Sequence, residues 1–250
     1  MDTHKMALAG AKLSQVMQRL ANAIQPGVTT LELDEMAEVL IREQGCMPAF
    51  KGYQGFPSSI CACHSDEVVH GVPDDRHLEE GCLLTLDVGV NFMGWHADSA
   101  FTVVVGGRKH ASIDEINLME ATRAALAAGV RAAQPGNRTG DVGAAIGDVA
   151  MMYGVHVVPQ FTGHGIGHLL HMPPLVPNHG IAGTGDVLEP WTAIAIEPIF
   201  LQRAGGWSLL EDGWTTKTEQ SISCAHFEHT VLITPDGPWV MTQLPTLENQ

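Results

Sequence analysis

The chain has 250 residues, 45% of them hydrophobic, with 28 acidic against 13 basic residues and a formal net charge of -15. Such a chain can bury a full core, whereas its charge excludes an extended nucleic-acid or anionic-membrane surface, which needs clustered Lys and Arg. The one basic cluster, Arg108, Lys109 and His110, is too short to change this. No stretch approaches the ~18 apolar residues of a membrane span, and the opening MDTHKMALAGAKL lacks the basic-then-apolar layout of a signal peptide. A cytoplasmic protein is expected. Five cysteines, with no Cys-x-x-Cys pair, suit a reducing compartment. Cys46, Cys61, Cys63, Cys82 and Cys224 read as small buried hydrophobes.

In chain order, ANAIQPGVTTLELDEMAEVLIREQG (21–45) predicts a helix, a Gln-Pro-Gly break and a second helix, the latter opened by a capping box at Thr29 and Glu32. The strands CLLTLDVGV and GWHADSAFTVVV follow. Ser112 and Glu115 then start another helix, and GVRAAQPGNRTGDVGAAIGDVAMMYG (129–154) repeats the earlier pattern, with Pro26, Gly27 and Gly45 mapping onto Pro135, Gly136 and Gly154 at one constant offset. The strands TAIAIEPIF and AHFEHTVLIT close the chain. Two helices followed by strands, given twice, predict a duplicated α+β architecture, a sheet core covered by helices. The expectation is one domain, 1–250, with halves at about 1–110 and 111–250.

Between these elements, FTGHGIGHLLHMPP (161–174) brings His164, His168 and His171 within eight positions. At helical spacing they would share a face, but the alternating Gly163, Gly165 and Gly167 favour an extended segment with a partner packed closely above it. A solvated loop and a metal or catalytic role are both open for these histidines on this stretch alone.

Period-2 reading of the strands isolates four acids. Asp87 shares a face with Thr85 and Gly89, Asp98 with His96 and Ala100, Glu197 with Ala193 and Ala195, and Glu228 with His226 and Thr230. None has Lys or Arg in its own strand. Burying one unpaired carboxylate costs on the order of several kcal/mol, and four together repel one another. Either each acid reaches water at a strand edge, or the four converge on metal. Two divalent ions would offset the four charges, with His164 as the natural nitrogen ligand, and such a donor set favours Mn, Fe, Co or Zn over Ca or a thiolate-type zinc site. Ser99, Thr102 and Ser223 read as ordinary strand positions, and GHGIG lacks the spacing of a nucleotide loop.

The combination of FKGYQGFPSSICAC, DEVVHGVPDD, LDVGV with Asp98 eleven residues after Asp87, GHGIG with His171 seven after His164, AIEP, DGWTTKT and FEHTV resembles the type I methionine aminopeptidases along nearly the whole chain. The resemblance implies the pita-bread fold, two pseudo-symmetric halves with a central antiparallel sheet covered by helices around a dinuclear metal site. It implies that Asp87, Asp98, His164, Glu197 and Glu228 hold two divalent ions, with Asp98 and Glu228 bridging. Glu197 would also be the general base, His171 would stabilise the oxyanion, and His70 would bond the substrate amide. Tyr53, Phe56, Cys61, His70, Leu170 and Trp214 would line the substrate pocket, and His168 has no assigned role. The implied substrates are nascent polypeptides or peptides with an N-terminal Met and a small second residue. Transient ribosome association without strong electrostatic recruitment, no nucleic-acid site, no membrane partner and a monomer complete the expectation. Two departures, Leu170 where many relatives carry a larger side chain and Met172 in place of the usual Glu after the histidine, bear on substrate preference and inhibitor response rather than on metal binding.

Three other readings compete. A proline-specific peptidase of the same fold would usually carry a long extra N-terminal domain, and a type II methionine aminopeptidase would have a long insertion between His171 and Glu197. A non-hydrolytic binding protein on the same scaffold is disfavoured because all five ligand positions and both extra histidines are present.

Overall fold

Reciprocal capping boxes start two of the helices in the computed structural model, which describes residues 2–246; residue 1 and residues 247–250 of the expected domain span lie outside the described residues. The Thr29 hydroxyl accepts from the Glu32 N–H while the Glu32 carboxylate reaches back to the Thr29 N–H, opening α2 (Thr30–Glu43). Ser112 and Glu115 do the same for α3 (Ile113–Ala132). Each box satisfies amide groups that a helix start otherwise leaves bare. The helices α1 (Thr3–Ala23) and α4 (Thr139–Tyr153) complete two hairpins, each broken at its Gln-Pro-Gly. Gly45 and Gly154 end the second helix of each pair with φ near 70°, a conformation that glycine takes without steric cost. α1 turns Met6, Leu13, Met17 and Leu20 inward at helical spacing, so the opening segment is core.

The strands are β1 (Met47–Pro48), β2 (Ile60–His64), β3 (Glu67–Val69), β4 (Leu83–Phe92), β5 (Trp95–Val104), β6 (His156–Val157), β7 (Gly163–Gly165), β8 (Met172–Val176), β9 (Ala193–Ile196), β10 (Ile199–Leu201), β11 (Trp207–Leu209), β12 (Thr216–Thr218), β13 (Cys224–His226), β14 (His229–Thr234) and β15 (Gly237–Val240). Every ladder between them is antiparallel. In the first half β4 is flanked by β5 on one side and by β2 and β1 on the other; in the second, β15-β14-β9-β7-β8 form one sheet and β13-β10-β6 another. Helices and sheets enclose a core that includes Phe101, Phe200 and Phe227. Cys46, Cys61, Cys63 and Cys224 are buried as expected; Cys82, at the turn leading into β4, is only half-buried.

Two expected strands are each broken in two. TAIAIEPIF divides into β9 and β10, and AHFEHTVLIT into β13 and β14, with Glu197 and Glu228 at the breaks. Pro198 is the physical reason, since it has no N–H to give to a ladder. The register nonetheless runs through: Ile196 faces His229 before the break and Ile199 faces His226 after it, so Glu197 and Glu228 stand opposite one another.

Hydroxyl groups join the two halves. Among the described residues no ladder links β5 to β14; instead Thr230 Oγ1 accepts from the Asp98 N–H at 2.9 Å and donates to the Asp98 carbonyl at 2.8 Å. Thr102 Oγ1 treats His226 in the same way, at 2.9 Å each. Ser99 Oγ donates to the Glu228 carbonyl at 2.7 Å, and the Glu228 N–H donates to the Ala100 carbonyl at 2.9 Å. Ser99 and Thr102, read from sequence as ordinary strand positions, are therefore seam residues that satisfy backbone groups where a ladder would have done so.

Candidate metal centre

The seam carries the acids. In the β4–β5 hairpin Asp87 faces Ala100 and Asp98 faces Gly89, which makes the two acids diagonal neighbours on one face. Their eleven-residue spacing follows from that register. From the second half, the opposed Glu197 and Glu228 come in at the breaks described above. His164 lies on β7, and there the glycines matter: a Cβ at Gly163 would meet the Ala195 carbonyl, and one at Gly165 the Pro173 carbonyl. The expected close packing over an extended segment is present, and it presses His164 against the acids.

Side-chain donor atoms of Asp98, His164 and Glu228 lie within 4.8 Å of one another, and all three residues are buried. His164 Nδ1 is 3.0 Å from the Gly165 carbonyl, which fixes the proton on that nitrogen and leaves the Nε2 lone pair free. Nε2 is 3.6 Å from Glu197 Oε1. Asp87 is the diagonal cross-strand neighbour of Asp98, and its charge is felt there. All five residues expected as ligands are thus in one place, three as a tight set and Asp87 and Glu197 at its edge.

No Lys or Arg offsets these charges among the described residues. Burial raises the Asp87 carboxyl to about 7. Burial, then the charges of Asp87 and Glu197, hold Asp98 well above the carboxylate range. Burial followed by the Asp87 charge raises Glu197, and burial followed by the neighbouring acids raises Glu228. His164 is pushed down to about 4 by burial and by His171. Asp87 Oδ1, Asp98 Oδ1 and Glu228 Oε1 are buried without a hydrogen-bond partner. Unpartnered carboxylate oxygens beside a neutral imidazole with a free lone pair fit a divalent cation with mixed oxygen and nitrogen ligands.

Two cavities meet at the centre. The smaller, of about 170 Å³, is walled by Tyr53, Phe56, Cys61, Leu170 and Trp214, every predicted pocket residue apart from His70 being part of one apolar cluster. Phe56 meets Trp214 edge-on at 5.2 Å, and Asp212 holds the turn that presents Trp214 by accepting its N–H at 2.8 Å. The larger cavity, of about 680 Å³, is an open trough bordered by Gln160, Thr162 and Met172. His70, Asp87, His164, His171 and Glu197 line both. His70 holds a left-handed φ of 58°, a strained backbone state that a non-glycine residue keeps only where its surroundings enforce it. His171 stacks edge-on against His164, with ring centres 4.2 Å apart, while His168 is exposed and only leans on Trp95.

Two contacts were not foreseen. The Tyr53 hydroxyl, expected only as pocket wall, is 2.8 Å from His171 Nδ1. His226, noted in sequence only as sharing a face with Glu228, is buried with Nε2 3.9 Å from Glu197 Oε2. Strand alternation was the available signal for His226; nothing in sequence pairs Tyr53 with His171, 118 residues away.

Residues 4–235 match the model of metallopeptidase family M24. Methionine aminopeptidase 1 of Mycobacterium tuberculosis is 42% identical, over 95% of this chain and 91% of its own length. The methionine aminopeptidase of Mycoplasma capricolum is 40% identical, over 96% and 94%. The crystal structure of methionine aminopeptidase from Rickettsia prowazekii superposes with a TM-score of 0.93 at 33% identity, covering 97% of both chains. The fold is accordingly the pita-bread fold, its central antiparallel sheet divided at the hydroxyl seam, and no helix of the described residues is long and apolar enough to cross a membrane. A chain that matches over almost its whole length and gathers buried acids around a histidine belongs to metallopeptidase family M24 and, within it, to the methionine aminopeptidases.

Proposed function

We propose that the protein removes the N-terminal methionine from peptides and nascent chains, and that Asp87, Asp98, His164, Glu197 and Glu228 would hold the two divalent ions this requires. The observation that carries this reading is the cluster of unpartnered acid oxygens beside the His164 lone pair, at the junction of a small apolar cavity and an open trough. The two halves, 1–110 and 111–250, act as one catalytic unit in this reading, because each supplies ligands. Mn, Fe, Co and Zn all suit the donor set, and such ions, when bound, acidify water and polarise a carbonyl.

The chain's own residues divide the remaining work. The apolar cavity takes the methionine side chain, whose thioether packs against the Tyr53, Phe56 and Trp214 rings and against Cys61 and Leu170. Glu197 accepts the proton of the attacking water and returns it to the leaving amine. His171 donates to the carbonyl oxygen as negative charge grows there, and His70 bonds the substrate amide. The second residue lies where His70, His171 and Glu197 close in from both cavities, which supports a preference for small side chains. The rest of the peptide leaves along the trough.

Methionine released from Met-Ala-Ser by anaerobically prepared protein, supplied in turn with Mn(II), Fe(II), Co(II) and Zn(II), tests the reading, with Ala-Pro-Ser as the control. Methionine release with little action on the proline peptide is expected. Preference for Ala-Pro-Ser, or inertness toward both with metal bound, would overturn it. We further infer a cytoplasmic monomer that meets ribosomes transiently and without strong electrostatic recruitment, in keeping with the net charge of -15. Cosedimentation with ribosomes that collapses as salt rises would contradict the last point.

A further inference from the structure

Glu197 is bracketed by two imidazoles. Its Oε1 faces His164 Nε2 at 3.6 Å and its Oε2 faces His226 Nε2 at 3.9 Å. His226 Nε2 is buried and has no hydrogen-bond partner. A buried polar nitrogen left unpaired is uncommon enough to require an account.

The backbone fixes where His226 points. Its N–H and its carbonyl are both held by Thr102 Oγ1, and the pairing of His226 with Ile199 makes it the diagonal cross-strand neighbour of Glu197 on the same face. The hydroxyl of Thr102 has one proton, given to His226, so the 2.8 Å contact between Thr85 and Thr102 must be donated by Thr85. Two threonines in series thus anchor the residue. The imidazole lines the open trough and is absent from the walls of the methionine-sized cavity.

The two imidazoles differ in what they can offer. His164 has its proton on Nδ1, against the Gly165 carbonyl, so Nε2 is a lone-pair donor suited to a cation. A carboxylate that ligates metal accepts hydrogen bonds and cannot give them. The group facing its second oxygen must then bring an N–H. The 3.9 Å separation is about 1 Å longer than a typical N–H···O hydrogen bond, so the bond requires the Glu197 carboxylate to turn toward His226 when metal is bound.

We propose that His226 is a positioning residue for the reaction: in the metal-loaded protein its Nε2–H donates to Glu197 Oε2, holding that carboxylate in one orientation with Oε1 turned toward His164. This rests on the reading of Glu197 as ligand and base. It acts on turnover, since His226 is absent from the walls of the smaller cavity and is not one of the set Asp98, His164 and Glu228.

Zn(II)-loaded protein labelled with 15N-histidine, which is diamagnetic, gives a direct readout through long-range 1H–15N correlation, with the His226 signals identified by their loss in His226→Gln. Nε2 protonated and Nδ1 unprotonated is the expected pattern; an unprotonated or metal-bound Nε2 overturns the proposal. In kinetics on Met-Ala-Ser, His226→Leu should lower kcat by about tenfold with KM and zinc content unchanged, and His226→Gln, which restores an N–H of similar reach, should recover to within about threefold of wild type. Equal losses in the two variants, or loss of zinc from both, also overturn it. Should the leucine variant not fold, the wild-type spectrum and the kcat-against-KM split of His226→Gln decide. The spectrum does not depend on the substrate: wild type that carries the Nε2–H bond but leaves Met-Ala-Ser intact breaks the functional reading and not this one.

Discussion

The metal centre and the methionine-sized cavity share His70 and His171, yet they are finished in opposite ways. In the cavity the walls already hold one another: the Tyr53 hydroxyl meets His171, Asp212 holds the Trp214 turn, and Phe56 lies edge-on to Trp214. In the centre, oxygens of Asp87, Asp98 and Glu228 are buried and unanswered. One region is complete as folded, and the other is built to receive charge from outside. Substitutions in the centre should therefore act on metal and chemistry with little loss of fold, whereas substitutions in the cavity should act on substrate binding.

The largest effect should come from Asp98→Asn, which under the proposed ligand set removes a carboxylate shared by both ions. Metal binding by titration calorimetry should vanish and kcat/KM fall by more than about 10³-fold. The metal-free variant should melt higher than metal-free wild type, because Asn removes the cost of burying a carboxyl that is held well above its ordinary range beside other acids. A variant that keeps both ions would break the contrast. His171→Ala should keep its metal and lose about 10²- to 10³-fold in kcat, the scale for one oxyanion donor. Acidification probes the same division. Asp87, raised by burial to about 7, and Asp98, Glu197 and Glu228, all raised by burial, must lose their protons before they can ligate, so protons compete with metal on the acid side of neutrality. Apparent metal affinity should drop by at least about tenfold per pH unit from 7 to 5, and a flat profile would show that these acids do not hold the metal. The smallest effect should be that of Trp214→Ala, which raises KM for methionine peptides by about tenfold through lost apolar contact, with metal affinity unchanged.

How much of this was legible depends on the range of the interaction. The capping boxes at Thr29 and Ser112 and the diagonal pairing of Asp87 with Asp98 are local, and sequence spacing reveals them. Glu197 and Glu228 were legible as acids in apolar strands, but not as residues at strand breaks, because alternation cannot register the N–H that Pro198 lacks. Ser99, Thr102 and Thr230 look like any strand hydroxyls in sequence. Their partners lie 124 to 132 residues away, and only the meeting of the halves makes them seam residues. His226 is the intermediate case, visible on the right face but without a distance to Glu197.

The hydroxyl seam has a consequence for how the chain is made. Thr230 and Glu228 must leave the ribosome before Asp98 and Ser99 find their partners, so the seam is among the last parts of the molecule that synthesis can complete. Contacts of such high sequence separation also carry a large loop-closure cost in folding. A fragment ending before Glu228 would contain the β4–β5 hairpin and both of its acids, yet lack the bridge from the second half. Under the proposed ligand set, capture of both ions therefore waits on the second half of the chain, so a fragment of the first half binds metal with an incomplete set of ligands.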